Sequence, residues 1–105
     1  MSDKNLRDLA EVDRVIHEPA RLLISTILYS VKEADFLFLL NESGLTKGNL
    51  SSHLTKLEEA GYITIRKVFN EKKTQTLCSM TPQGRVAFEE YRDQFRKIIK
   101  KMNGA

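Results

Sequence analysis

Short polar and cationic side chains cluster in the segment Thr46–Ile63, at positions that a helix would place on one side. At about 100° per residue, that side carries or borders Lys47, Gly48, Asn49, Ser51, Ser52, Thr55, Lys56 and Glu59. Hydroxyl, amide and ammonium groups supply donors and acceptors for bases and phosphates. Their small size would let a helix lie close to base edges in the major groove. The same composition is also typical of a solvated helix surface, so this face alone leaves both interpretations open.

The other positions of the segment predict a helix that would hold this face outward. Thr46 is suited to cap the first turn, and Gly61 is suited to end the helix in the left-handed conformation. A preceding helix over residues 34–42 and a turn containing Gly44 complete a predicted helix-turn-helix over residues 34–60. The apolar stripe of the second helix, at i, i+4 and i+7, consists of Leu50, Leu54 and Leu57.

A basic hairpin is predicted directly after this helix. Residues 62–69 and 74–80 are rich in β-branched and aromatic side chains, so they predict two strands of a wing over residues 62–80. This segment has a local net charge of +3, which equals the formal net charge of the whole chain. It holds one carboxylate, Glu71, and four cations, namely Arg66, Lys67, Lys72 and Lys73. Such a wing would lie along the sugar–phosphate backbone or dip into the minor groove, and its charge would add affinity with little sequence information. The alternative is that its lysines only prevent edge pairing with another sheet.

The size and composition of the chain are those of one globular domain. Its 105 residues suffice for a packed core, so we expect a single domain over residues 1–105. The isoelectric point near 9.1 suits a polyanionic partner. No apolar run approaches the roughly 18 residues of a membrane span, and the N-terminus has no apolar segment for secretion. With a single cysteine and no internal disulfide, these features predict a cytoplasmic protein without a membrane partner.

Both ends of the chain carry helical apolar stripes. Helices are predicted over residues 6–17, from Pro19 onward, and over residues 82–102 with Thr81 as cap. The terminal stripes predict a homodimer made chiefly by the first and last helices. The alternative is that the last helix packs on the first helix of its own chain. The predicted dimerisation residues are Leu6, Leu9, Phe88, Tyr91, Phe95, Ile98 and Met102.

The order of these elements resembles that of winged helix transcriptional regulators of the MarR/ArsR type, in particular the small winged helix DNA-binding domain proteins. The resemblance lies in residues 17–24, 34–36, 45–54, 57–63 and 81–85, and the block Gly48-Asn49-Leu50-Ser51-Ser52-His53-Leu54 is fairly specific. It implies a mainly α fold with a small β-hairpin wing, an α+β winged helix-turn-helix with extended N- and C-terminal helices. It also implies a homodimeric regulator that binds a palindromic operator in double-stranded DNA.

In this family the reading helix enters the major groove and the wing lies on the backbone. By that resemblance, the DNA-binding residues are Thr46, Lys47, Asn49, Ser51, Ser52, His53, Lys56, Arg66, Lys72 and Lys73. His53 lies at the edge of the leucine stripe, where a half-buried structural histidine is the alternative. For the whole chain, the alternative function is a protein-interaction module of the same fold that docks a partner without binding DNA.

The sequence offers little for catalysis or metal binding. Many ArsR-type sensors carry paired cysteines or clustered His and Asp, whereas this chain has only Cys78, His17 and His53. Cys78 falls in a predicted strand, which favours a buried structural thiol. We find no phosphate-binding glycine loop and no nucleophile beside a base. We therefore expect no enzyme activity, no cofactor and no metal. A small apolar effector between the core and the terminal helices stays open, because no residue specifies one.

Overall fold

A computed structural model of the chain describes residues 11–104. In this part of the chain, four helices accompany a small antiparallel sheet, which confirms the α+β winged helix fold. In chain order the elements are α1 (Pro19–Ser30), β1 (Ala34–Asp35), α2 (Phe36–Ser43), α3 (Lys47–Glu59), β2 (Ile63–Asn70), β3 (Lys73–Met80) and α4 (Pro82–Met102).

Each of the four helices begins at a side chain that accepts a hydrogen bond from the backbone of its first turn. Glu18, Asp35, Thr46 and Thr81 accept from the N–H groups of Arg21, Phe38, Asn49 and Gly84. Such caps satisfy donors that have no partner within the helix. The caps at Thr46 and Thr81 are confirmed predictions, whereas those at Glu18 and Asp35 were not foreseen.

The end of α3 shows the predicted left-handed glycine. Gly61 has φ +82°, and its N–H donates to the carbonyl of Glu58 over 2.9 Å. The N–H of Tyr62 donates to the carbonyl of Leu57 over 3.0 Å. This pair of bonds closes the helix and turns the chain at once into β2.

The sheet has the strand order β1-β3-β2, with all neighbours antiparallel. We call β2, β3 and their connecting turn (Ile63–Met80) the wing. The turn consists of two residues with positive φ, Glu71 at 50° and Lys72 at 68°, between the paired residues Asn70 and Lys73. This is the geometry of a type I′ hairpin, whose twist matches that of the strands.

The leucine stripe of α3 lies in the main core, as predicted. Leu50 and Leu57 are fully buried, and Leu54 is 2% exposed. They pack with apolar residues of α1, α2 and the sheet, namely Ile24, Leu28, Ala34, Leu39, Ile63 and Cys78. Since its apolar side is used in this way, α3 is fixed with its polar side outward.

The prediction of a helix over residues 6–17 is wrong in its second half. Residues 12–18 form turns and bends, and the carboxylate of Asp13 accepts from the N–H groups of Val15 and Ile16. A side chain that binds the backbone locally offers it an alternative to the helix. The first part of the predicted helix, including Leu6 and Leu9, lies outside the described residues.

Two further boundaries differ from prediction. Ala34 and Asp35 form strand β1 rather than the start of a helix, because they pair with Cys78 and Leu77 of β3. Helix α2 therefore begins at Phe36. The wing strands are also longer than predicted, since Asn70 and Lys73 pair and leave a tighter turn.

Helix α4 has the predicted range, but most of its predicted dimer stripe is buried within the chain. Phe88, Tyr91 and Ile98 are 7%, 2% and 8% exposed, and they form a second core cluster with Val12 and Ile16. Phe88, Tyr91 and Ile98 therefore follow the alternative, in which the last helix packs within its own chain, and they offer little surface to a second copy. Their apolar area is already covered by their own chain.

The start of α4 packs closely against Gly61 and Tyr62, which follow α3. A Cβ atom on Gly84 would lie 2.1 Å from the carbonyl oxygen of Tyr62, so only glycine fits there. The N–H of Thr81 donates to the same carbonyl over 3.0 Å, and the Thr81 hydroxyl donates to the carbonyl of Gly61 over 2.6 Å. These contacts connect α3, the wing and α4 at one point.

Candidate nucleic-acid interface

The outward side of α3 is a continuous polar surface. Its predicted contact residues are all exposed, namely Thr46, Lys47, Asn49, Ser51, Ser52 and Lys56. Gly48 and Thr55 are exposed with them, and a Cβ on Gly48 would meet no atom within 4 Å. The surface therefore combines two cations with short hydroxyl and amide side chains. It carries the donors and acceptors that the edges of base pairs require.

His53 differs from these residues because it turns toward α1. Its side chain is 20% exposed, and its Nδ1 lies 3.1 Å from Nη1 of Arg21. Arginine has only donors, so Nη1 can donate to Nδ1 when that nitrogen carries no proton. The half-buried position matches the structural alternative for His53.

Arg21 joins three parts of the chain at this point. Its Nε donates to the carbonyl of Val15 over 2.6 Å, while its other end holds His53. Burial raises the pKa of Glu18, but the backbone N–H and the charge of Arg21 outweigh this and leave the pKa below its usual value. The ionised carboxylate of Glu18 lies 3.8 Å from Nδ1 of His53. These side chains fix α3 against the start of α1.

Lys67 of the wing lies beside the polar face of α3. Side chains alternate along a strand, so Lys67 shares a sheet face with Ile63 and Ile65, which pack into the main core. Lys67 lines a cleft together with Ser51 and Thr55 of α3. The prediction counted its charge but did not include it among the contact residues. The strand alternation of residues 63–67 was the signal that could have assigned it.

Arg66 projects from the opposite face of the sheet. Its Nη2 lies 2.8 Å from Oε2 of Glu33, with which it forms an exposed ion pair. The structure therefore does not bring Arg66 together with the polar face of α3. The predicted wing residues Lys72 and Lys73 are exposed at the turn and at the start of β3.

A cluster of carboxylates lies beside α4 rather than α3. Glu11, Asp13, Glu90 and Asp93 line a cleft beside Tyr62 and α4, and the Tyr62 hydroxyl donates to Asp13. Burial, the hydrogen bond to Asp13 and the charge of Asp13 together raise the pKa of Tyr62 to about 12. The cations of α3 and the wing are thus separate from this acidic cleft.

The described residues hold no group of three or more His, Cys, Asp or Glu side chains placed to bind a metal ion. Cys78 is buried, as predicted, and burial raises the pKa of its thiol to about 11. Between residues 11 and 104, no helix is long and apolar enough to cross a bilayer.

The predicted dimerisation residues that remain at the surface lie toward the end of α4. Met102 is 76% exposed, and its neighbour Ile99 is 43% exposed. Phe95 is half-buried and lines an apolar cleft of about 270 Å³ together with Ile99 and Leu22. Ile99 was not among the predicted residues, although it follows Phe95 by four positions and so shares its side of the helix.

Comparison with known proteins agrees with this architecture. Residues 20–99 match the winged helix DNA-binding domain family. The uncharacterized protein MJ0432 of Methanocaldococcus jannaschii is 35% identical over 78 residues, which are 74% of this chain and 85% of the relative.

Solved structures of regulators share the fold. The transcriptional regulator homologue from Pyrococcus horikoshii OT3 superposes with a TM-score of 0.86 at 24% identity, covering 94% of this chain and 97% of that one. A MarR-like transcription regulator from Bacillus cereus gives a TM-score of 0.71 at 18% identity, covering 99% and 81%.

Proposed function

The chain belongs to the winged helix DNA-binding domain family, and from this premise we propose that it is a sequence-specific transcriptional regulator that binds DNA as a homodimer. One observation carries the proposal: the exposed polar face of α3 is continuous with Lys67 of the wing through a shared cleft. A helix that reads bases and a hairpin that holds the backbone would need this arrangement. Enzymatic chemistry plays no part in it.

Residues 46–60 would lie in the major groove. Asn49, Ser51 and Ser52 have short side chains that can reach base edges, and a good bidentate contact of this kind discriminates by about 1–3 kcal/mol. Thr46, Lys47 and Lys56 would contact phosphates, which position the helix without reading sequence. His53 would act at the edge of this surface by holding α3 against Arg21.

The wing would lie along the sugar–phosphate backbone. Lys67, Lys72 and Lys73 would contact phosphates and release the counterions condensed on them. Arg66 would join them only when its ion pair with Glu33 opens. We therefore assign the main backbone contacts to the three lysines.

The dimer would form through the exposed end of α4. Phe95, Ile99 and Met102 recur at i, i+4 and i+7 and so lie on one side of the helix. Together with the apolar cleft beside Leu22, they offer a surface that a second copy can cover. Leu6 and Leu9 remain part of this proposal as predicted from sequence. A two-fold dimer then requires operator half-sites about 34–36 Å apart, or a multiple of that distance.

DNA binding is tested by fluorescence anisotropy with random-sequence duplex at several salt concentrations. The double variant Lys72→Ala, Lys73→Ala should bind every sequence more weakly and lose roughly two units of salt slope. The matched control, Lys100→Ala with Lys101→Ala, removes the same charge from the end of α4. Equal affinity of the wing variant and the unmodified protein would contradict the proposal. Absence of salt-dependent binding would favour the protein-interaction module instead.

The dimer is tested by sedimentation at roughly 10–50 µM protein. Ile99→Asp with Met102→Asp should convert the dimer to monomer, because it places charge in the proposed apolar interface. Val86→Asp is the control, since Val86 is 56% exposed near the other end of α4. A monomeric unmodified protein at these concentrations would overturn the dimer and leave DNA binding to be judged on the anisotropy data.

A further inference from the structure

The proposed contacts between lysines and the DNA backbone do not explain Phe69 of the wing. Its side chain is 77% exposed, close to the tip of the hairpin. Single exposed apolar residues are common on protein surfaces, so exposure by itself assigns no role. The position of Phe69 relative to α3 and to the wing cations is what distinguishes it.

Phe69 continues the sheet face that leads from the core to α3. By strand alternation it lies on the same face as Ile65 and Lys67. Ile65 packs against the main core, and Lys67 lines the cleft with Ser51 and Thr55. The cross-strand partner of Phe69 is Thr74, which is itself exposed. The ring therefore extends the proposed DNA-facing surface toward the tip.

Cations frame the ring. Lys67 precedes it by two residues on the same face, and Lys72 follows it in the turn. Lys73 pairs with Asn70 and so projects from the other face of the tip; all three lysines are exposed. Glu71 is the carboxylate between them. An apolar side chain with ammonium groups nearby is complementary to a groove whose walls are apolar and whose edges carry phosphates. The minor groove of duplex DNA is such a surface, and proteins insert phenylalanine between base steps there.

We propose that Phe69 is an apolar wedge that enters the minor groove of duplex DNA, with Lys67 and Lys72 on the phosphates beside it. The inference rests on the proposed function and deepens it by naming the residue at the tip of the wing that unstacks a base step. Pyrimidine–purine steps open at lower cost than other steps. The wedge would therefore create a sequence preference at bases that α3 does not reach.

The first test compares the affinity of Phe69→Ala and unmodified protein for one duplex, selected from a random pool, at several salt concentrations. We expect roughly tenfold weaker binding, as for loss of part of an apolar contact. The salt slope should not change, because no charge is removed. Leu37→Ala is the matched control, since Leu37 is 62% exposed but lies on α2; it should bind like the unmodified protein.

The second test uses the same duplex with 2-aminopurine placed in turn at the steps flanking the major-groove contacts. Unmodified protein should raise the fluorescence at one flanking step by unstacking it, and Phe69→Ala should not. Equal affinity and equal fluorescence for the two proteins would overturn the wedge while the proposed function stands. Absence of salt-dependent binding by the unmodified protein would overturn both. A Phe69→Ala chain that sediments as a smaller species without DNA would also overturn the wedge, since a second copy would then cover Phe69.

Discussion

Arg66 and Glu33 form an ion pair, with 2.8 Å between Nη2 of the guanidinium and Oε2 of the carboxylate. Glu33 lies in the segment between α1 and β1. Because Arg66 and Lys67 are consecutive in a strand, their side chains project from opposite faces of the sheet. The pair thus separates Lys67, which lines the cleft beside α3, from Arg66, which is held on the opposite face of the sheet.

This division predicts unequal roles for two neighbouring cations. Lys67→Ala should weaken binding to all duplexes and reduce the salt slope by roughly one unit, as for the loss of one phosphate contact. Arg66→Ala should change the slope by much less, because Glu33 already neutralises its charge. The measurement is anisotropy at several salt concentrations. A larger loss for Arg66→Ala than for Lys67→Ala would mean that the other face of the wing contacts DNA.

Two helical glycines should respond oppositely to substitution by alanine. Gly84→Ala places a Cβ 2.1 Å from the carbonyl oxygen of Tyr62, and such overpacking costs about 1–3 kcal/mol of unfolding free energy. Gly48→Ala meets no atom within 4 Å, so it should stabilise α3 by up to about 1 kcal/mol. Urea denaturation measures both. A Gly84→Ala protein as stable as the parent would show that α4 does not pack this closely on Tyr62.

Much of α3 and of the helix ends could be predicted from sequence because their causes are local. The caps at Thr46 and Thr81 and the glycine at position 61 depend on residues a few positions away. The burial of Leu50, Leu54 and Leu57 could be predicted because their spacing matches the helical period and places them on one side. Since the leucines occupy one side of α3, the exposure of its polar side could be predicted as well.

The errors concern contacts between distant segments. Strand β1 exists only through pairing with Cys78 and Leu77, more than forty residues later, and two residues carry no strand signal of their own. The stripe of α4 could equally face a second copy, and only the fold shows that Phe88 and Tyr91 pack on Val12 and Ile16. The different positions of Arg66 and Lys67 depend likewise on sheet register and on Glu33.

Arg21 should matter for stability and, through His53, for the position of α3. Arg21→Ala removes the hydrogen bonds to the Val15 carbonyl and to His53, and bonds from charged donors contribute about 1.5–3 kcal/mol each. Urea denaturation should show a loss of that order for the variant. Arg96→Ala, whose side chain is 70% exposed, is the control and should lie within about 0.5 kcal/mol of the parent. A neutral Arg21→Ala would mean that these bonds do not hold α3.

The protein should lose stability in alkaline solution. Burial, together with nearby carboxylates, raises the pKa of Cys78 from 9.0 to about 11 and that of Tyr62 from 10.0 to about 12. Above pH 9 the unfolded chain therefore binds fewer protons than the native one, so stability is complete below pH 9 and falls as pH rises toward 12. Urea midpoints between pH 8 and 11 measure the fall. Cys78→Ala should be less stable throughout but should show a shallower decline above pH 9. An equal decline would contradict the role of the thiol.

Selection of bound sequences from a random duplex pool tests most directly whether α3 reads DNA in a two-fold dimer. We predict enrichment of a palindrome whose half-sites are centred about 10–10.5 base pairs apart, or a multiple of that spacing. Asn49→Ala should relax the preference at particular bases of each half-site, whereas Lys72→Ala should weaken binding evenly. A pool that shows no enriched sequence after repeated rounds, or the same enriched sequence with and without Asn49, would contradict the assignment of α3 as the reading helix.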